Sequence, residues 1–134
     1  MPEAPISWGE LFDKITILEI KSERIADPDK LANVRRELQV LRDTWAASPL
    51  AAADVHEDYA ELMRLNGELW DIEDRIREKE AERRFDPEFV ELARSVYRTN
   101  DRRSVVKRRI SLRYGSELVE EKSYRGLEDP ELGA

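Results

Sequence analysis

Residues that interrupt helices or act as nucleophiles are scarce in this sequence of 134 residues. It has no cysteine, one histidine, five glycines and six prolines. Without cysteine the chain has no disulfide bridge, thiolate metal site or cysteine nucleophile. The single histidine, His56, stands among acidic residues, and neither a Ser-His-Asp set nor a glycine-rich phosphate loop accompanies it. The composition therefore favours long helices and excludes several common catalytic arrangements.

Long hydrophobic runs are also missing. No apolar segment approaches the roughly 20 residues that a membrane-spanning helix needs. The N-terminal residues, MPEAPISWGE, contain no basic region followed by an apolar one, so we expect no secretory signal. These two observations predict a cytoplasmic protein without a membrane span.

Charged residues make up 40% of the chain and hydrophobic residues another 40%. The apolar residues are regularly spaced in a background rich in Glu, Lys, Arg, Leu and Ala, which is typical of helix bundles and atypical of disordered chains. The length suits one domain. We predict an all-α fold, an antiparallel bundle of about four helices with coiled-coil-like packing, over residues 1–124. A flexible acidic tail is expected at 125–134.

Breaks in the apolar pattern locate the first three helices. Ser7 is a candidate cap for the first helix, which has apolar residues on two sides and should lie centrally. Asp27-Pro28-Asp29 precedes a second helix, whose apolar residues recur at steps of three and four: Leu31, Val34, Leu38, Leu41 and Trp45. The third helix is expected from about residue 55 to 84 and is predicted to be the spine of the bundle. Its last residues, 77–84, have no apolar side chain larger than that of Ala81 and should be exposed.

The fourth helix is expected at 87–113, between the break at Asp86-Pro87 and Gly115, a residue suited to the left-handed conformation that ends helices. Thr99-Asn100-Asp101 resembles a helix cap inside this range, so the sequence allows either one helix or two over residues 87–113. We favour one, because no glycine or proline interrupts it. The polar run from Glu117 to Tyr124 is either a solvated turn or a flap over the end of the bundle.

The fourth helix is basic, whereas the protein as a whole is acidic, with a net charge of −7. Residues 94–113 contain eight basic side chains and one acidic, a net charge of +7, while residues 54–91 contain fourteen acids and six bases, a net charge of −8. Either the basic helix pairs with acids of the bundle or of a dimer partner, or it binds an external anion such as a small phosphorylated molecule. Arginine forks suit phosphate and carboxylate, and the acidic net charge argues against nucleic acid. The candidate anion-binding residues are Arg98, Arg102, Arg103, Arg109, Tyr97 and Asn100.

A repeated motif is a candidate metal site. Gly9-Glu10-Leu11-Phe12-Asp13 in the first helix resembles Gly67-Glu68-Leu69-Trp70-Asp71 in the third. Residues three apart share a helix face, so two such helices facing each other would offer Mg²⁺ four carboxylates: Glu10, Asp13, Glu68 and Asp71. That arrangement resembles the all-helical nucleoside-triphosphate pyrophosphatases. Acidic pairs at this spacing occur about as often as chance predicts in so charged a chain, so the spacing alone does not establish a site.

Several blocks of the sequence together resemble a known family. They are SWGELFDKITILEIKSERI at 7–25, LANVRREL at 31–38, LWDIEDRIREKE at 69–80, FVELARSVYRTNDRRSVVKRRI at 89–110 and GSELVEEKSY at 115–124. The family consists of small bacterial proteins and is known only as a domain of unknown function. The resemblance covers most of the chain and implies no catalytic residue. It implies a setting near glycosyltransferases and surface-polysaccharide functions.

Two classes of function follow from the sequence. The first is a non-enzymatic binding or assembly module of a bacterial cytoplasmic system, linked to glycan or surface-polysaccharide synthesis, with a protein partner or a second copy of itself and no cofactor. The second is a Mg²⁺-dependent helical hydrolase of nucleotides or other phosphorylated substrates, in which the four acids hold the metal and Arg102 and Arg109 hold phosphate. Convergence of the acids in one cleft would favour the hydrolase, and an exposed apolar patch would favour the module.

Overall fold

The computed structural model describes residues 1–115 and confirms the all-α bundle. Its helices, in chain order, are α1 at Trp8–Arg24, α2 at Pro28–Ala46, α3 at His56–Ala81 and α4 at Pro87–Arg113. Residues 1–115 contain no strand, and none of these helices is both long and apolar enough to cross a membrane. The polar run at 117–124 and the tail at 125–134 lie outside the described residues.

Short polar side chains cap α1 and α4 where the sequence predicts. Ser7 caps α1, because its Oγ accepts a hydrogen bond from the backbone N–H of Glu10. Asp86 caps α4 by accepting from the backbone N–H of Phe89 at 3.0 Å. α4 then continues without a break, which confirms the prediction of one helix at 87–113. After it, Gly115 adopts a φ of +73°, the left-handed conformation expected of a residue that ends a helix.

α1 is the central helix of the bundle, as its two apolar sides predict. It contacts all three other helices, whereas α2 packs against α1 alone among the helices of residues 1–115. One core cluster joins α1 to α2: Leu11, Ile15, Leu18, Val34 and Leu38. A second joins α1 to α3 and α4: Phe12, Leu62, Leu65, Val106 and Ile110. The prediction that α3 is the spine of the bundle was therefore wrong for α2, because the single apolar stripe of α2 faces α1.

α1 approaches α4 closely at Gly9. A Cβ atom at this position would lie 2.2 Å from the backbone oxygen of Lys107 and 2.8 Å from the Oγ of Ser111. The Gly9 N–H donates a hydrogen bond to the same Oγ at 3.1 Å. Gly67 occupies the matching position of the repeated motif in α3, yet a Cβ there would have no neighbour within 4 Å. Glycine is thus required by packing at position 9 and not at position 67.

α3 and α4 form a hairpin that extends beyond the end of α1. At 1.5 Å per residue, the 26 residues of α3 and the 27 of α4 span about 40 Å, and the 17 residues of α1 about 25 Å. α1 ends at Arg24, whose guanidinium bonds Asp71 at 2.5 Å and lies 5.7 Å from the ring centre of Trp70. Beyond that level the described structure contains only the two helices and their connecting turn. We call this part, residues 72–98, the arm.

The end of the arm is closed by a compact turn and a buried lysine. Arg83 adopts a positive φ of 55°, and the N–H of Arg84 bonds the carbonyl of Lys79 at 2.9 Å, as in a Schellman turn. The Lys79 side chain is fully buried, and its Nζ lies 2.9 and 2.8 Å from the two carboxylate oxygens of Asp86. Residues 77–84 are otherwise exposed as predicted. Lys79 is the exception, because it ties α3 to the start of α4.

Candidate functional site

Polar side chains from three helices meet inside the bundle. We call them the polar layer: Glu10, Asp13, Thr16, Asn66, Arg103 and Lys107. Asn66 of α3 is at its centre, with its Nδ2 donating to Asp13 Oδ1 and to Thr16 Oγ1, both at 2.9 Å. Its Oδ1 accepts from Arg103 of α4 at 3.1 Å. Asp13, Thr16 and Asn66 are all buried, so each hydrogen bond replaces one that water would otherwise supply.

Lys107 joins the two acids of α1 within this layer. Its Nζ lies 2.8 Å from Glu10 Oε2 and 3.8 Å from Asp13 Oδ2, and Arg103 lies 3.8 Å from the same Asp13 oxygen. Two cations thus face two anions, and the layer is electrically balanced. Buried charges without partners are costly. The layer is therefore expected to select the register in which α1 meets α3 and α4.

The polar layer makes stability depend on pH through Glu10. Burial raises the pKa of Glu10, but the hydrogen bond and charge of Lys107, together with the charges of Lys14 and Arg103, outweigh that effect and hold the pKa below its usual value of 4.5. A carboxyl with a depressed pKa in the folded state contributes stability that is present above about pH 4.5 and is lost as the pH falls through the folded-state value.

Glu10→Gln should therefore weaken this pH dependence. We expect the free energy of unfolding of the wild-type protein to fall more steeply than that of the variant as the pH is lowered below about 4.5. Urea unfolding at a series of pH values measures the difference. Parallel curves for the two proteins would contradict the assigned contact between Glu10 and Lys107.

A second set of paired charges lies near the C-terminal end of α4. Asp58 of α3 is buried, and it accepts hydrogen bonds from Arg113 at 2.7 Å and from the Tyr114 hydroxyl at 3.1 Å. Arg109 bonds Glu61 and lies 3.6 Å from Asp58. Burial raises the pKa of Tyr114, as does its bond to Asp58. Arg109 and Arg113, near the end of the basic helix, are thus neutralised by acids of α3.

The structure distributes the predicted anion-binding residues over different environments. Arg103 belongs to the polar layer, and Arg109 pairs with acids of α3. Arg98 bonds Glu91 of its own helix at 2.8 Å, on the surface of the arm. Arg102 and Tyr97 are exposed, Asn100 is half-buried, and Arg102 makes no ion pair within residues 1–115. Internal pairing therefore accounts for Arg103 and Arg109, while anion binding by the exposed residues stays a prediction.

The four predicted metal ligands do not form one group. Glu10 and Asp13 lie in the polar layer beside Lys107, Glu68 bonds Arg64 at 2.8 Å, and Asp71 bonds Arg24. Within residues 1–115 no group of three or more His, Asp or Glu side chains is placed to hold a metal ion. The two copies of the motif differ in orientation: the Asp13 side chain is 5% exposed and that of Asp71 is 68% exposed.

Sequence reasoning missed Thr16, Asn66, Asp58 and Lys79. Thr16 stands between Ile15 and Ile17, and Asn66 directly follows Leu65 of the apolar stripe. A polar residue between or beside apolar core positions is the available signal for a buried hydrogen-bond network. Asp58 and Lys79 gave a similar signal: Asp58 lies four residues before Leu62 and Lys79 lies three residues after Ile76, so both share the helix face of the α3 stripe.

The arm leaves several neighbouring apolar side chains partly or largely exposed, whereas elsewhere large exposed apolar residues stand at separate positions such as Ile6, Val40 and Leu112. The stripe of α3 is buried at Leu62, Leu65 and Leu69 and only half-buried at its continuation, Ile72 and Ile76. The facing stripe of α4 behaves in the same way. It is buried at Val106 and Ile110 and half-buried in the arm at Phe89, Leu92 and Val96. Three further side chains of the arm are largely exposed: Phe85 at 58%, Tyr97 at 55% and Val90 at 44%.

Comparison of the chain with curated proteins and with solved structures finds no match. Comparison with protein families finds one whose description is a family of unknown function, DUF6165, and the match extends over residues 3–130. This span includes all four helices and both copies of the repeated motif. The chain therefore belongs to the DUF6165 family of unknown function.

Proposed function

We propose that this protein is a binding or assembly module that docks its partner on the arm. One observation supports the proposal: the apolar stripe that α3 and α4 bury beneath α1 continues into the arm, where no third helix of the described structure covers it. Two helices alone leave one side of such a stripe facing water. A third element laid on the arm would complete the packing that α1 provides elsewhere.

The size of the exposed side chains makes the arm suitable for docking. Fully burying a large apolar side chain is worth about 1.5–3 kcal/mol relative to leaving it in water. Aromatic residues are enriched at the centres of protein interfaces, and the arm carries Phe85, Phe89 and Tyr97 close to its surface. An amphipathic helix on the partner would present the matching shape.

The other charged regions of the bundle have a structural role in this proposal. The polar layer and the Asp58 cluster pair their charges between helices, and these pairs set how α1, α3 and α4 fit together. α1 and α2 then form the base from which the arm projects. A setting in glycan or surface-polysaccharide synthesis, the binding of a small anion and the hydrolase alternative all stay predictions from the sequence.

Two valines of equal exposure provide the test. Val90 lies on the arm and is 44% exposed, while Val40 lies on α2 and is 45% exposed. Each is replaced by aspartate in a tagged chain, and the proteins recovered with that chain from a native lysate are quantified. We expect Val90→Asp to lose the recovered partner and Val40→Asp to retain it, with both variants showing the wild-type circular dichroism spectrum.

The opposite result would remove the proposal. A partner that is retained by Val90→Asp, whether or not Val40→Asp releases it, does not bind at the arm. Because the two side chains are almost equally exposed, the two changes are expected to alter the free energy of unfolding by similar amounts. A loss of binding therefore reports on the surface and not on the fold.

A further inference from the structure

We propose that Asn66 is a site of spontaneous deamidation that the folded polar layer protects, and that deamidation there makes unfolding irreversible. Asn66 is followed directly by Gly67. In an unfolded chain this pair of residues loses the asparagine amide readily, because glycine leaves its backbone nitrogen unhindered and free to rotate. Neither the site nor its consequence involves the arm.

The reaction at Asn66 needs only water. The Gly67 nitrogen gives up its proton to hydroxide and bonds to Cγ of Asn66. The Cγ–Nδ2 bond then breaks, and the nitrogen leaves as ammonia with a proton taken from water. A second water molecule opens the cyclic imide. Opening at Cγ gives aspartate, and opening at the main-chain carbonyl gives isoaspartate, in which the chain continues through the side-chain carbon.

In the folded protein the side-chain amide of Asn66 is held at both of its polar atoms. Its Nδ2 donates to Asp13 and to Thr16, both at 2.9 Å. Its Oδ1 accepts from Arg103 at 3.1 Å. The residue is 5% exposed, so water and hydroxide have little access to it. Turning the amide towards the Gly67 nitrogen requires these hydrogen bonds to break.

The helical backbone also restrains the attacking nitrogen. Asn66 and Gly67 lie near the middle of α3. In such a helix each N–H donates to the carbonyl four residues earlier, so the Gly67 nitrogen keeps its proton and its direction along the helix. Attack on Cγ therefore requires α3 to open at this level, and the rate of amide loss follows the population of the open state.

An aspartate at this position does not fit the polar layer. The layer has two acids, Glu10 and Asp13, which face two bases, Arg103 and Lys107. A carboxylate in place of the Asn66 amide adds a third acid without a further base. It is also unable to donate the hydrogen bonds that Nδ2 gives in the unmodified chain. Acceptor then meets acceptor in a buried place, which is costly.

An isoaspartate interrupts α3 itself. It adds a carbon atom to the main chain, so the N–H and carbonyl groups on either side lose their four-residue register. The interruption would lie beside Leu62 and Leu65, which are buried in the core that α3 forms with α1 and α4. Both products thus weaken the native state, and a chain that is modified while unfolded does not return to the original fold.

Peptide mapping of the aged full-length chain tests the protection. The protein is kept at mildly alkaline pH in buffer or in unfolding urea, and amide loss is followed by mass spectrometry. We expect loss at Asn66 to be at least about tenfold slower in buffer than in urea. Asn33 and Asn100 precede Val34 and Asp101 instead of glycine, so both should react more slowly than Asn66 in urea.

Gly67→Ala tests the mechanism and the irreversibility together. A Cβ at this position has no neighbour within 4 Å, so the variant should fold. Its added methyl group hinders the attacking nitrogen, and amide loss at Asn66 in urea should slow several-fold. The native circular dichroism regained after dilution from urea should decline with time in step with amide loss. The decline should be correspondingly slower in Gly67→Ala.

An exchange of side chains tests the cost of the aspartate product. Asn66→Asp should unfold at a lower urea concentration than the wild type or fail to fold. Adding Asp13→Asn exchanges amide and carboxylate between the two helices and restores two acids against two bases. The double variant should therefore be more stable than Asn66→Asp alone.

Each contrary outcome has a definite meaning. Equal rates of amide loss at Asn66 in buffer and in urea would overturn the protection, and no loss in urea would overturn the site. An unchanged rate in Gly67→Ala would exclude attack by the backbone nitrogen. Full refolding of deamidated chains, or an Asn66→Asp variant as stable as the wild type, would remove the irreversibility.

Discussion

Replacing Gly9 with alanine is expected to lower the free energy of unfolding by about 3 kcal/mol. The added Cβ would lie 2.2 Å from the backbone oxygen of Lys107, and backbone cannot move aside as the end of a flexible side chain can. α1 must shift away from α4, which also weakens the bond from the Gly9 N–H to Ser111. Urea unfolding measures the loss, and a lower melting temperature should accompany it.

Gly67→Ala is the matched control for this prediction. It makes the same change at the same position of the repeated motif, but the new methyl group meets open space. Alanine is a better helix former than glycine by about 0.8–1 kcal/mol, so this variant should be more stable than the wild type. Equal losses from the two substitutions would mean that α1 does not approach α4 at Gly9.

Asp13→Ala is expected to cost about 3 kcal/mol of unfolding free energy. Asn66 then loses a buried acceptor, and Lys107 and Arg103 lose one of the anions that balance them. Asp13→Asn should cost less, because the amide oxygen can still accept the bond from Asn66 although the charge is gone. The difference between the two variants separates the hydrogen bond from the charge.

Asp71→Ala provides the comparison for Asp13. It removes the corresponding carboxylate of the second motif copy, which bonds Arg24 at the surface. Exposed ion pairs contribute about 0–1 kcal/mol, so we expect a loss of less than 1 kcal/mol. A large loss at Asp71 together with a small loss at Asp13 would contradict the assignment of Asp13 to the interior and of Asp71 to the surface.

The helices themselves were predictable because their signals are local. Ser7, Asp86 and Gly115 act on their own neighbours in the chain, and the caps and the helix end occur where those residues stand. The two apolar sides of α1 likewise predicted its central place. A stripe of side chains at steps of three and four needs only the geometry of one helix to be recognised.

The partners of the charged residues were not predictable in the same way. The chain has 30 acids and 23 Lys and Arg residues, so the sequence allows many pairings of similar local plausibility. The pairs that form depend on which faces of α1, α3 and α4 meet. The two motif copies show this most clearly. Both have glycine, glutamate, leucine and aspartate at matching positions, yet Asp13 of α1 faces the interior and Asp71 of α3 faces the surface.

The arm exists because α3 and α4 are longer than α1. The sequence indicates only part of its exposure. The pattern predicted that residues 77–84 would be exposed, but it does not show that Ile72 and Ile76, which continue the apolar stripe of α3, are only half-buried. Coverage depends on where α1 ends against the hairpin, at Arg24 beside Asp71. That relation between distant segments appears only in the folded chain.

A crosslinking scan tests the proposed docking surface most directly. A photoreactive amino acid is placed singly at Val90 and Tyr97 of the arm and at Arg35 and Val40 of α2, and adducts formed in native cells are identified by mass spectrometry. We predict that the two arm positions give adducts with a defined protein and the two α2 positions give none above background. Adducts from α2 with none from the arm would contradict the proposal.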